Sequence, residues 1–398
     1  MSLLDPSMED LPVYITADIL SRLPVKTIIH CKCVCKKWLD LVSDSYFSNL
    51  HLQRSPSSLM IHHNPEKEMA IYYRTGILKW LEVEDELHHH NLHHDPVMSL
   101  DLNLAPIFQE SQIHPVGSVD GLLCLWQFGS ENENTYICNP ITREYMILPN
   151  QQYHREYFAI VMCCFGVGSI TREYKVIRIF QGDIPTNPNS SSPPILLEGE
   201  IYTIGTGQWR NLSIIPYWLS NFNGIFLNGH AHWIVIDQDS PEKLCAFDFD
   251  KETFKLFPSP PVEIVEESRI HFYSLAVLKG CLCQSDTFDS QFTIWVMKEY
   301  GIKKSWQKEV IIKRSISPDL DWLMREPVYV IWGLNDGTIL MVYDEEKLLE
   351  YSPLTRTIVD TEIFHPYFTG IAYRPSFLKL QNFRIERVRV FSGSIKLM

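Results

Sequence analysis

The pattern of apolar and polar positions changes character near residue 54. From Leu11 to Val42 apolar residues recur at helical spacing. Beyond Ser57 short apolar runs are punctuated by Gly, Asn, Asp and Pro. In the first stretch Ile15, Ile19, Leu20 and Leu23 stand at i, i+4, i+5 and i+8, one side of a helix. Pro12 sits where a first-turn proline is tolerated, and Pro24 stops this helix and opens the next. Val25, Ile28 and Ile29 give a second helix its apolar side. Cys35 to Val42 gives a third, with Trp38, Leu41 and Val42 apolar and Lys36, Lys37 and Asp40 polar. Three helices in about 45 residues bury only about 60% of their unfolded surface, so such a unit is marginal alone. Their leftover apolar surface is expected to face another chain.

Three later segments share one strand–turn–strand pattern: Tyr136–Pro149, Ala246–Pro258 and Glu350–Val359. Asn139 to Asp248 is 109 residues and Asp248 to Ser352 is 104, twice about 50. Each segment follows a glycine-led apolar run, introduced by Asp120-Gly121, Asn228-Gly229 or Asp336-Gly337. These dipeptides suit a type I′ hairpin turn, which needs positive φ twice. A second motif ends in Trp209 and again in Trp306, 97 residues on. A period near 50 with four short strands per unit predicts a kelch-like β-propeller. Five units are read at about 115–150, 157–212, 222–260, 271–313 and 328–362. A sixth runs from Ser57 to about 105, completed by strands near Phe364 to Leu380 that close the ring. Six or seven blades would both fit.

Composition narrows the function. The 398 residues are 45% hydrophobic and 21% charged, which excludes disorder for most of the chain. No apolar run approaches the roughly 18 residues of a membrane helix, and the acidic start lacks the apolar core of a secretory leader. A net charge of −13 argues against nucleic acid or an anionic membrane as partner. The ten cysteines form no disulfide framework and are expected as reduced, mostly buried thiols of the cytoplasm or nucleus. Cys31, Cys33 and Cys35 alternate without any C-x-x-C. His88, His89, His90, His93 and His94 lie among acids and read as a solvated loop rather than a metal site. Gly166-x-Gly168 precedes a strand, not the helix a dinucleotide loop opens. Asp248 and Asp250 read as turn caps. Lys379, Arg384, Arg387, Arg389 and Lys396, against Glu386 alone, read as a solvated terminal segment. No catalytic residue, metal or cofactor is expected.

Leu11-Pro12, the run Asp18 to Ile28 with its Leu23-Pro24 pair, and Cys31-Lys32-Cys33-Val34-Cys35-Lys36-Lys37-Trp38 resemble an F-box. Gly117 to Cys124 followed by Asn139-Pro140-Ile141-Thr142, and Phe165 to Gly168 followed by Tyr174-Lys175-Val176, are similar to the opening blades of the F-box-associated domain of plant F-box proteins. Tyr14, His30 and Cys31 depart from the usual residues at their positions. The resemblance implies a mostly β chain: a small three-helix F-box over 1–54, then a kelch-like propeller of about six blades over 55–398. It also implies a non-catalytic substrate receptor of a ubiquitin ligase. The F-box would dock a Skp adaptor, and through it a cullin and a RING subunit, while the propeller holds a target protein for ubiquitination and proteasomal degradation. On matching positions Leu11, Pro12, Ile19, Leu20, Leu23, Pro24, Cys35 and Trp38 are the adaptor-facing candidates. Tyr217, Trp218, Asn221 and Phe222 are target-facing candidates from their aromatic content, since aromatics are enriched at binding hot spots.

Three rivals share this sequence. A propeller enzyme requires convergent carboxylates or histidines in the central channel. An adaptor-bound scaffold, or a sensor of a small ligand, keeps the F-box without degradation. An S-locus-type F-box protein of pollen recognises a secreted ribonuclease.

Overall fold

Two prolines set the start of the N-terminal helices. Pro12 precedes α1 (Val13–Leu20) with φ −53°, and Pro24 precedes α2 (Val25–Cys31) with φ −55°. Both values suit a pyrrolidine ring. α3 (Lys36–Val42) follows an extended Cys35. A fourth helix, α4 (Ser45–Arg54), is capped by Asp44, whose carboxylate accepts from Tyr46 N at 2.7 Å. The expected three helices are therefore four. α4 buries Phe47, Ser48 and His51. Two of these three are polar, so apolar periodicity does not reveal it.

The computed structural model describes residues 11–397, apart from 64–75, 82–97, 102–111, 129–133, 150–159, 183–196, 213–214, 221–222, 237–241, 262–270, 289–290, 314–327, 335, 344–345, 362–367, 384 and 392–395. The histidine run lies outside the described residues, as does most of the Gly182–Pro194 stretch.

Strands follow in chain order. β1 (Ser58–His63), β2 (Ile77–Leu81) and β3 (Met98–Asp101) belong to blade 1. β4 (Gln112–Val119), β5 (Leu122–Phe128), β6 (Thr135–Asn139) and β7 (Glu144–Ile147) form blade 2. β8 (Ile160–Val167), β9 (Tyr174–Gln181), β10 (Leu197–Thr203) and β11 (Trp209–Asn211) form blade 3. β12 (Ile225–Leu227), β13 (His230–Ile234), β14 (Leu244–Asp248) and β15 (Thr253–Phe257) form blade 4. β16 (His271–Leu278), β17 (Cys281–Phe288), β18 (Gln291–Met297) and β19 (Trp306–Lys313) form blade 5. β20 (Val328–Gly333), β21 (Ile339–Tyr343), β22 (Lys347–Ser352) and β23 (Thr357–Asp360) form blade 6. β24 (Phe368–Tyr373) returns as the innermost strand of blade 1, pairing β1 from Ser58↔Tyr373 to His63↔Phe368. β25 (Arg389–Val390) extends blade 2, and β26 (Lys396–Leu397) extends blade 1. The six innermost strands touch in a closed circle, β24, β4, β8, β12, β16, β20 and back to β24.

Six apolar clusters fill the ring, one between each pair of neighbouring blades. Both faces of every blade are thus covered. Strands covered on both faces need not alternate apolar with polar. Leu123 and Leu125 of β5 face blade 1, while Leu122 and Cys124 face blade 3. Adjacent Cys163 and Cys164 likewise enter different clusters. All ten cysteines are free. Seven are buried, but Cys33 is exposed and Cys35 and Cys281 are half-buried.

The turns explain the repeat. Asp120-Gly121 and Asn228-Gly229 have positive φ at both residues, as expected for I′ turns. The third such turn is Lys279-Gly280. Asp336-Gly337 solves its hairpin differently: Asp336 Oδ1 accepts from Thr338 N at 2.9 Å. Asn139 and Asp248 accept backbone N–H groups two and three residues on, and Arg143, Glu252 and Arg356 supply the positive φ that closes each turn. The turn-cap reading of Asp248 holds. Asp250 instead reaches blade 3, accepting from Ile170 N and Thr171 N. Trp209 opens β11 and donates to Pro149 O of blade 2 at 2.7 Å. Trp306 opens β19 and donates to Pro258 O of blade 4 at 3.1 Å. The tryptophan motif and the Pro-ending motif are two halves of one joint between blades, and so each recurs at twice the blade length.

Candidate functional site

Within the F-box, α3 touches each of the other three helices. Ala17, Leu20, Val25, Ile28, Leu41, Val42 and Phe47 fill the space between them. Asp18 links the first and last helices. It accepts from Arg22 Nε at 3.1 Å and from Arg54 Nη2 at 2.6 Å. These hydrogen bonds hold its carboxyl below the usual range.

The helices are fixed to the propeller through Phe377. This ring is 1% exposed. It meets Phe47 at 5.9 Å and His51 at 5.0 Å, both edge-on, and lies 5.6 Å below the Lys32 ammonium. Ser48 Oγ donates to its carbonyl at 3.0 Å. Burial there pushes His51 down to about 4, a neutral imidazole at pH 7.

Residues 374–383 and 385–391 form a strap rather than a solvated tail, and Arg384 lies outside the described residues. Asn139 Nδ2 donates to Ser376 O at 3.0 Å and Leu378 O at 2.7 Å. Glu144 Oε2 accepts from Leu380 N at 2.6 Å. Phe383 packs edge-on against Tyr174 of blade 3. Glu386 accepts from Tyr202 OH at 2.6 Å and Gly205 N at 2.7 Å, also in blade 3. Arg389 and Val390 then pair with β7. Gly121 lies where a Cβ would fall 2.4 Å from Ser376 Cβ, so the turn and the strap require glycine there.

The adaptor-facing candidates divide. Pro12 and Pro24 are exposed, and Ile19 is 38% exposed. Leu11 and Cys35 are half-buried. Leu23 and Trp38 are partly buried and pack against the common core. Leu20, at 1% exposure, belongs to the bundle interior. Sequence reasoning missed Val13 at 55%, Tyr14 at 66%, Val34 at 65% and Leu39 at 41%. The signal was present: Val13 and Tyr14 are large side chains in a first helical turn, and Val34 lies in the link before α3.

The propeller has two unlike ends. The F-box, the strap and the turns of blades 2 to 6 that join first to second and third to fourth strands share one end. The chain passes from blade to blade at the other, after β11, β15 and β19. Tyr217 and Trp218 lie after the first of these strands, half-buried, and Trp218 O accepts from Ile236 N at 2.9 Å. Asn221 and Phe222 lie outside the described residues. Between the two ends runs a central channel of about 600 Å³.

Comparison with known proteins agrees with this architecture. A model of the F-box domain matches residues 8–50, and a model of the F-box associated beta propeller domain matches 81–374. The second begins at the last residue of β2 and omits β1, which completes blade 1 here. F-box protein At3g07870 of Arabidopsis thaliana is 28% identical over 394 residues, spanning 90% of this chain and 88% of that protein. F-box/kelch-repeat protein At3g23880 of the same plant is 23% identical, spanning 87% and 88%. F-box protein CPR1, also from Arabidopsis thaliana, is 24% identical, spanning 85% and 83%. A four-helix F-box fixed to a six-bladed ring places the chain among the F-box proteins that carry an F-box associated β-propeller domain.

Proposed function

We propose that this chain is the substrate receptor of a Skp–cullin–F-box ubiquitin ligase. Residues 1–54 dock a Skp-type adaptor, and through it a cullin and a RING subunit. Residues 55–398, a kelch-like propeller, hold a target protein for ubiquitination and proteasomal degradation in the cytoplasm or nucleus. The observation that carries the reading is the exposed apolar set Val13, Tyr14, Ile19, Val34 and Leu39 on a bundle that is joined to the propeller through α4 and Lys32. Large apolar side chains on a small bundle mark a protein contact. The target surface of this reading is the end opposite the F-box, which carries Tyr217 and Trp218, and the sequence adds Asn221 and Phe222 to the candidates. The chain itself makes and breaks no covalent bond. It raises the effective concentration of a target lysine near the charged ubiquitin carrier.

Val13→Asp with Val34→Asp tests the docking. Both positions are exposed, so the fold is expected to survive with an unchanged melting temperature, while adaptor recovered on co-purification falls at least tenfold. Full recovery of adaptor would falsify the assignment. Leu20→Asp is not an equivalent test, because it places a charge in the bundle core. A bound partner whose abundance rises when cullin activity is blocked separates degradation from scaffolding.

A further inference from the structure

The channel is lined by residues of all six blades, and none of the described lining is Asp, Glu, Lys or Arg. In a chain with 21% charged residues this is a selected environment. A charged guest entering it would lose hydration and meet no carboxylate, ammonium or guanidinium in the described lining. The walls are largely apolar, with Trp126 and Phe226 offering half-buried ring surface. Polar groups interrupt them, among them His114 and His232, the second held by Ile225 O and Tyr300 OH. Ser118 and Ser220 present hydroxyls. Asn223 Oδ1 accepts from Cys163 N at 3.0 Å, which fixes the amide and leaves its –NH2 as the donor. A volume of about 600 Å³, apolar walls and a few placed polar groups are the attributes of a small-molecule site.

Gly117 adds a second observation. It lies on β4 at the irregularity between Pro115 and Gly117, and it lines the channel. A Cβ built there meets no atom within 4 Å, and its φ is not in the left-handed region. Neither sterics nor backbone conformation requires glycine at this position. Its effect is to keep that part of the channel open.

We propose that the channel binds one uncharged, largely apolar small molecule carrying a hydroxyl or carbonyl group. The binding site stands on the propeller alone, so its failure and the failure of the adaptor reading are separate results.

The probe is the neutral dye N-phenyl-1-naphthylamine, titrated into the full chain. One saturable site per chain is expected, with displacement by farnesol but not by farnesyl phosphate. Gly117→Phe fills the open space and is expected to weaken dye binding at least tenfold with an unchanged melting temperature. If that variant melts earlier, Ser118→Phe serves the same purpose from the next lining position. Absence of a saturable site, the result for a channel that holds water alone, overturns the proposal. So does equal affinity in the wild type and a folded filled variant, or displacement by the phosphate as readily as by the alcohol.

Discussion

Two buried histidines make stability depend on acid. His51 and His232 are both pushed down to about 4 by burial, against about 6.5 in an unfolded chain. His232 is held between Ile225 O at 3.1 Å and Tyr300 OH at 2.8 Å, with His230 nearby. Between pH 6.5 and 4 the unfolded chain takes up protons that the folded chain refuses. The contribution is therefore fully present above 6.5 and lost as pH falls, on the order of 3 kcal/mol per histidine. Melting temperature should fall through this window. His51→Phe keeps the ring packing against Phe47 and Phe377 and removes the titration, so its melting curve against pH should be flatter by about half. An unchanged slope would show that other groups dominate. Some of this residue scale was legible in sequence. Asp120-Gly121 and Asn228-Gly229 declare a turn through residues that tolerate positive φ. Lys279-Gly280 adopts the same turn without declaring it, because lysine has no such preference.

At the scale of elements the strap is the unexpected one. Asn139 and Asp248 occupy equivalent turns and cap them alike. Only Asn139 also donates, to Ser376 O and Leu378 O. An amide is needed where the strap crosses, and a carboxylate suffices where it does not. Asn139→Ala should cost about 3 kcal/mol in urea unfolding, since it strips two buried carbonyls and a turn cap together. Asn139→Asp should restore part of that loss by keeping the cap. These contacts join positions 237 and 239 residues apart. No local pattern encodes them, so the strap read as a basic tail. The same limit applies to α1. In an eight-residue helix the apolar positions include both core and exposed residues, and only burial separates Leu20 from Val13 and Tyr14.

For the whole molecule, the angle between F-box and propeller is set at Phe377. Phe377→Ala empties a fully buried aromatic site and should cost about 3–5 kcal/mol of docking. The F-box is then expected to gain its own, earlier melting transition and to become cleavable by protease near 55–57, with the propeller intact. A single unchanged transition would show that the helices are held elsewhere. The ring itself was legible because two motifs alternate along the chain, and their spacing is the distance between joints rather than between blades.

Ring closure has a consequence in time. The ribosome releases the F-box and strands β1, β2 and β3 of blade 1 long before β24, their inner partner, exists. Phe377 and Asn139's two acceptors are made later still. A nascent or truncated chain thus carries an F-box that nothing orients and a first blade with an open edge, a state prone to mispairing. Only a chain translated past residue 391 holds its helices in a fixed position against its propeller, so synthesis itself withholds that geometry until the strap is complete.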